Sequence, residues 1–397
     1  QIFFTSTTGI WQTVWLEKVP KTYITGLRIT PDIDSDSVEI TVNTNGPIDH
    51  SEIEILDTTG KVVVSNTKAA VNAPNKLKIA SPKLWSTSDP YLYNIKVKAG
   101  ADSVTSYVGM RKMEVKKDSK GINRFFLNNK PIFMFAPLDQ GFWPDGVYTP
   151  PNEEAMIYDL EMTHKFGFNT IRKHIKVESD RWYYATDRMG FLVMQDFPSA
   201  FGAVDKEKRP AADAQQIELE MERMVTQLHN FPSIIVWIPF NEGWGQYDTE
   251  RVVNLFRKWD PSRLIDEASG WIDHGITNIE DHHKYPISQE IPLKPNRVIV
   301  NGEYGALWMK IRDHLWDTTK ASQGDDNPDL LQKFFLTSLA TVRAQAIFGL
   351  GAAVYTEITD VENELAGLLT CDRAVIKFRD MAEVKRHVDR LYPSESV

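Results

Sequence analysis

Apolar and polar positions along the chain follow two different periods. From about residue 20 to 113 they alternate: Val38, Ile40 and Val42; Ile53 and Ile55; Leu77 and Ile79; Ile95 and Val97. Turn-forming groups such as Asn45-Gly46-Pro47 and Asp57-Thr58-Thr59-Gly60 interrupt these runs. Many short alternating strands over roughly a hundred residues predict an antiparallel β-sandwich. No chemistry-bearing cluster stands out in this stretch, which reads as a structural module.

Past about residue 114 the period changes. Strand-like runs occur at Pro131–Ala136, Phe168–Ile171, Phe191–Met194 and Ile234–Ile238, with further candidates at 263–268, 277–281, 297–302 and 350–356. Helical stripes alternate with them. Met156, Leu160 and Thr163-His164 share a face behind an Asn152 N-cap, and Ile217, Met221, Met224 and Leu228 form a second stripe. Val252, Leu255, Phe256 and Trp259 form a third behind an Asp248 cap, and helices fit at 329–347 and 374–391. Eight strands with mostly helical connections over about 280 residues predict a (β/α)8 TIM barrel. The rival, a doubly wound open sheet, would be supported by a G-x-G-x-x-G or P-loop, and neither occurs.

Composition narrows the partners. The 397 residues are 42% apolar and 25% charged, ordinary for a globular chain of two or three domains. A net charge of -9 speaks against nucleic-acid or anionic-membrane partners, which need basic surface. No run approaches the roughly 18–20 apolar residues that span a bilayer. Cys371 is the one cysteine, so there is no intrachain disulfide and no Cys-type zinc site. That fits a reducing compartment and equally a secreted or periplasmic protein without bridges. The chain begins at Gln1 without an initiator Met, as a processed product or a portion of a longer chain would.

In a barrel, residues at the C-terminal ends of the strands converge on one mouth. Here these are Arg172, Lys173 and His174; Asp196; Asn241 and Glu242; Asp266 and Glu267; Asp281, His282, His283 and Tyr285; Glu303 and Tyr304; Glu357 and Asp360. Trp143, Trp244, Trp271 and Trp308 lie nearby, in a chain with 11 Trp, 13 Tyr and 19 Phe whose flat rings suit sugar faces or plain core packing. Paired carboxyls in unlike environments suit glycoside hydrolysis, although composition alone leaves several pairs open. A metal-dependent hydrolase using His282 and His283 with Glu280 and Asp281 is the weaker reading. Adjacent residues on a strand point to opposite sides, and no H-E-x-x-H occurs.

Several segments together resemble the glycoside hydrolase family 2 enzymes, the β-galactosidases, β-glucuronidases and β-mannosidases. They are Gly9–Glu17, Val108-Gly109-Met110-Arg111-Lys112, Leu127–Ile132, Asn241-Glu242 and Gly302-Glu303-Tyr304-Gly305. The resemblance implies a remnant of an N-terminal sugar-binding jelly-roll at residues 1–19, an immunoglobulin-like β-sandwich at 20–113 and the catalytic barrel at 114–397. It implies Glu242 as general acid/base, protonated at rest, and Glu303 as nucleophile. Asn241 would bind the sugar 2-hydroxyl, and Arg172 and Tyr285 would hold the nucleophile. His174, Asp139, Trp143, Trp244, Trp308 and Tyr355 are further candidates for contacting substrate. No cofactor or metal is implied.

Two departures bear on specificity. The segment Ala353–Glu357 carries Tyr355 where family members usually have a tryptophan. Asn363-Glu364-Leu365-Ala366 lacks the lysine by which β-glucuronidases hold a uronic carboxylate. The expected function is therefore an exo-acting retaining β-glycosidase, β-galactosidase-like, acting on an oligosaccharide or glycoside. The alternative is a catalytically silent carbohydrate-binding or scaffold fragment. Ile2, Phe3, Phe4, Ile10 and Trp11 in the remnant would be partly exposed and invite self-association.

Overall fold

A computed structural model describes residues 4–199, 209–316 and 326–392. Seven antiparallel strands between Ile24 and Val108 form two sheets. One pairs Ile24–Asp32, Ser37–Thr44 and Pro74–Lys78; the other pairs Ser51–Leu56, Val62–Ala69, Tyr93–Ala99 and Asp102–Val108. The alternating residues of both sheets, among them Val38, Ile40, Ile53, Ile55, Ile95 and Val97, meet in one core. This is the sandwich expected from the period-two pattern.

Eight parallel strands follow: β1 Met134–Asp139, β2 Thr170–Lys173, β3 Leu192–Asp196, β4 Ile234–Ile238, β5 Leu264–Ile265, β6 Ile279–His283, β7 Val298–Gly305 and β8 Leu350–Thr356. Their hydrogen-bonded order is 5-4-3-2-1-8-7-6, a nearly closed barrel with β5 and β6 facing each other across its seam. Helices α1 Glu153–Phe166, α2 Asp180–Met189, α3 Ala211–Leu228, α4 Thr249–Trp259, α5 Pro328–Phe348 and α6 Met381–Val388 intervene or follow. The fold class expected from the sequence is the one observed.

The apolar run of β4 is continuous because both its faces are covered. Ile234 and Trp237 pack outward on Met221, Met224, Val252 and Phe256 of α3 and α4. Ile235, Val236 and Ile238 share a second core cluster with Met194, Val300 and Val354. Burying each such side chain stabilises by about 1.5–3 kcal/mol.

Three expectations need correction. Pro131–Ala136 is not one strand. Lys130–Ile132 pairs back on Asn123–Leu127, which also pairs with Met113–Lys117, and the barrel strand starts only at Met134. This small sheet closes the N-terminal face of the barrel with Met113, Phe125 and Leu127. The last helix is shorter than 374–391, spanning Met381–Val388 before one 3-10 turn. Asp248 precedes α4, but its side chain makes no capping bond, whereas Asn152 accepts from the Ala155 N–H.

Asp187 joins the sandwich to the barrel. Its carbonyl accepts from Trp85 Nε1 at 2.8 Å, and its carboxylate accepts from Tyr107 Oη and the Ser233 N–H, both at 2.7 Å. Arg111 adds bonds to the carbonyls of Pro232 and Ile234 at 2.9 and 2.8 Å.

The described part of the N-terminal segment, residues 4–19, forms no regular strand. It is tied to the barrel loops where Phe4 stacks on Phe142 at 4.3 Å, Trp11 meets Tyr148 edge-on, and Gln12 donates to the Glu178 carbonyl. Trp11 is half-buried, whereas Ile10, Val14, Trp15 and Leu16 are exposed. Ile2 and Phe3 lie outside the described residues. Among the described residues no helix is long and apolar enough to cross a membrane.

Candidate active site

The mouth is organised around Arg172, fully buried at the end of β2. A guanidinium has five N–H donors in a planar fork, and here all five are matched. Nε and Nη2 grip both oxygens of Asp196 on β3 at 3.1 and 3.0 Å. Nη2 also donates to Asn241 Oδ1 at 2.8 Å, and Nη1 to the Gly302 carbonyl and Glu303 Oε1, each at 3.1 Å. Burial works against the charge of Arg172, but Asp196 and Glu303 more than offset it and hold the group well above its ordinary value.

Glu303 sits near the end of β7. Tyr285 Oη donates to its Oε2 at 2.6 Å and is 2.9 Å from Thr356 Oγ1. Burial alone would raise the Glu303 carboxyl; His283, Arg172, His174 and the Tyr285 hydroxyl reverse this and keep it ionised below the usual carboxylate range. Gly302 beside it cannot be replaced, since a Cβ there would fall 2.1 Å from Asp281 Oδ2.

Glu242 follows β4 in a tight turn. Glu242 and Gly243 both have left-handed backbone, with φ of 53° and 73°. Glycine adopts this at no steric cost, and a glutamate there marks a conformation imposed by its surroundings. The Glu242 N–H bonds to the Ser269 carbonyl, and Trp271 Nε1 donates to the Glu242 carbonyl at 2.8 Å. Its carboxylate is 2.9 Å from His283 Nδ1.

These groups line a narrow pocket with Leu138, Gln140, His174, Asn241, Tyr285, Thr356 and Glu364. His174 is fixed by Asp196 at 3.0 Å. Gln140 Nε2 bridges Glu357 at 2.5 Å and Glu364 at 3.1 Å. Burial foremost, and then neighbouring negative charge, push the Glu357 and Glu364 carboxyls above their ordinary values.

Of the residues singled out from the sequence, Glu242, Glu303, Asn241, Arg172, His174 and Tyr285 come together. Asp139 is instead ion-paired to Lys173 at 2.6 Å. Trp143 is buried with the Arg373 guanidinium 3.6 Å from its ring centre. Tyr355 is fully buried against Tyr304 and Phe335. Trp244 and Trp308 are half-buried and outside the pocket lining. Gln140, Thr356 and Glu364 were not singled out, and His283 was named only at the mouth and in the weaker metal reading. The signal for Gln140 and Thr356 was their place at or just past a strand end.

His282 turns away from His283 and pairs with Glu280 at 3.1 Å, as neighbours on a strand must. The donor atoms of Glu242, His283 and Glu303 lie within 4.8 Å of one another. A fixed guanidinium already supplies positive charge beside Glu303.

Comparison with known proteins settles the lineage. Residues 22–111 match the model of glycosyl hydrolases family 2, and residues 119–303 match that of the family 2 TIM barrel domain. The chain belongs to glycosyl hydrolases family 2. Among family 2 relatives, it is 27% identical over 339 residues to a beta-galactosidase of Leuconostoc mesenteroides, covering 75% of this chain and 32% of that protein. It is 26% identical over 342 residues to a beta-glucuronidase of Streptococcus agalactiae, covering 72% and 55%. The chain thus spans from about a third to about half the length of these relatives. The crystal structure of an FMN-binding beta-glucuronidase from Faecalibacterium prausnitzii shares the fold, with a TM-score of 0.76, 19% identity, and coverage of 93% of this chain and 63% of that one.

Proposed function

We propose that this chain carries the catalytic barrel of an exo-acting retaining β-glycosidase. The observation that carries this reading is the approach of Glu242 and Glu303 oxygens to within 4.8 Å. Retaining enzymes hold their two carboxyl groups about 5–5.5 Å apart, whereas inverting ones leave about 6.5–9.5 Å for a water.

Glu303, ionised and aligned by Arg172 and Tyr285, attacks the anomeric carbon as Glu242 gives its proton to the glycosidic oxygen. The C1–O bond to the leaving group breaks and the alcohol departs. A water then attacks C1, its proton passes to Glu242, and the bond to Glu303 breaks to free the sugar. Asn241 has its Oδ1 committed to Arg172, so its amide N–H groups face the sugar and suit the 2-hydroxyl.

Relatives named beta-galactosidase and beta-glucuronidase are about equally similar and do not choose the sugar. The pocket favours a neutral ring such as galactose. Among its described lining residues there is no lysine or arginine to pair a uronic carboxylate, and Glu364 adds a further acidic group.

Incubation with 2-deoxy-2-fluoro glycosides, read by mass spectrometry, tests the reading. A covalent adduct on Glu303 is expected, and the sugar that reacts names the specificity. No adduct from any sugar in a folded sample would favour a silent fragment, a reading motivated by how little of its relatives the chain spans. Glu242→Gln should spare substrates with activated leaving groups, where protonation matters least.

A further inference from the structure

His283 ends β6 with its side chain wholly buried among charges. Its ring faces Glu242 from the turn after β4, Glu303 from β7, Arg172 from β2, Ser269 and Trp271 from the segment after β5, and Asp281 on its own strand.

Hydrogen-bond accounting fixes which ring nitrogen carries a permanent proton. Ser269 Oγ lies 2.5 Å from Asp281 Oδ2 and 2.9 Å from His283 Nε2. Asp281 also accepts the Gly302 N–H at 2.6 Å. Both Asp281 oxygens are thus acceptors, and burial and the charge of Asp281 push the adjacent Asp266 carboxyl well up. The one hydroxyl proton of Ser269 therefore goes to Asp281, and its oxygen is left to accept, which requires Nε2–H on His283. Arg172 Nη1 is 3.4 Å from Nε2, but both its N–H groups are engaged by Gly302 and Glu303. The exchangeable position is Nδ1, 2.9 Å from Glu242 Oε1 and 3.4 Å from Glu303 Oε2.

We infer that His283 and Glu242 hold one proton between them, and that this pair, rather than Glu242 alone, is the acid that serves the leaving group. The catalytic consequence rests on the glycosidase reading above. The proton moves between Glu242 Oε1 and His283 Nδ1 within one hydrogen bond. When Glu242 donates it to the glycosidic oxygen the imidazole is left neutral, and the attacking water restores it. Burial lowers the basicity of the ring, while Glu303, Glu242 and Asp281 outweigh both that and Arg172 and raise it above the ordinary value. His283 is thus a positioning residue that acts through Glu242.

Two measurements keep this inference separate from the reading beneath it. Histidine 15N NMR on the 397-residue chain needs no turnover. Nε2 should remain protonated across about pH 5 to 9 while Nδ1 titrates, and Glu242→Gln should lower that titration by about one pH unit. An Nδ1–H tautomer with a bare Nε2, or a titration unmoved by Glu242→Gln, would overturn the inference whether or not the protein turns over. In kinetics, His283→Asn should cut kcat/KM for alkyl glycosides about 100-fold, change dinitrophenyl glycosides less than about threefold, and move the basic limb of the pH profile to lower pH. Ser269→Ala, which removes the acceptor fixing Nε2–H, should shift the same limb in the same direction, and provides the test should His283→Asn not fold. Equal losses for both leaving groups with an unmoved profile would mean a structural role only.

Discussion

Arg172→Lys is the most direct probe of the proposed site. The native guanidinium makes five hydrogen bonds to four groups: both oxygens of Asp196, Asn241, the Gly302 carbonyl and Glu303. A lysine ammonium keeps the charge but has three donors and no planar fork, so at least two bonds are lost and Asp196 can no longer be gripped at both oxygens. At about 1.5–3 kcal/mol for each hydrogen bond to a charged group, the loss is about 3–6 kcal/mol. Asp196 and Glu303 remain buried, so a large share should appear as reduced stability. The rest should appear as misorientation of Glu303 and Asn241, with kcat/KM down about 100- to 1000-fold, the scale of losing one preorganised electrostatic contact. Urea unfolding followed by tryptophan fluorescence reads the first, and steady-state hydrolysis of an activated glycoside reads the second. A variant within about 1 kcal/mol of wild-type stability and within threefold in kcat/KM would refute the assignment of Arg172 as the organiser of the mouth.

Burial raises Asp187 to about 7 in the folded protein. Its unfolded value is near 4, so the folded state binds the proton more tightly. The stability it contributes is complete below about pH 4 and is lost as pH rises through about 7, a change on the order of 4 kcal/mol. Asp187→Asn keeps the acceptor for Ser233 and should flatten the stability profile between pH 5 and 8; an unaltered slope would count against this. Glu364→Lys places a cation in the pocket and should raise kcat/KM for a β-glucuronide relative to a β-galactoside at least tenfold, and an unchanged ratio would remove Glu364 from the specificity argument. Tyr285→Phe deletes the 2.6 Å bond to Glu303 and should lower kcat about 10- to 100-fold; activity equal to wild type would show that the hydroxyl is dispensable. We further propose self-association through exposed Ile10, Val14, Trp15 and Leu16. Light scattering should show a mass that rises with concentration and falls back in Val14→Ser/Leu16→Ser; a monomer at all concentrations would dismiss it.

Much was legible in the chain alone. The change from period two to alternating strands and helical stripes determined a sandwich followed by a barrel, because a strand covered on one face and one covered on both leave different apolar patterns. Carboxylates at the ends of apolar strands were legible, but several pairs qualified, and Glu242 and Glu303 were picked out of them only by the family resemblance. Boundaries were less so. Arg172, Asp196, His283 and Glu303 lie within their strands rather than after them, since a reading by hydrophobicity stops at the first charge. Those charges are buried only because each has a partner on a neighbouring strand.

What only the tertiary structure decided is which of many similar residues share the pocket. Trp143 and Tyr355 had the same claim as aromatics near strand ends, yet one is held against Arg373 and the other joins the core beside Phe335. Gln140 and Glu364 are 224 positions apart and carry no common period, so nothing local foretells their 3.1 Å contact. The tautomer of His283 depends on Ser269, Asp281 and Asp266, which belong to two different barrel segments. Local sequence sets which face of an element is apolar. The partner of a buried polar group is set by barrel closure, because its hydrogen bonds are made across the mouth and not along the chain.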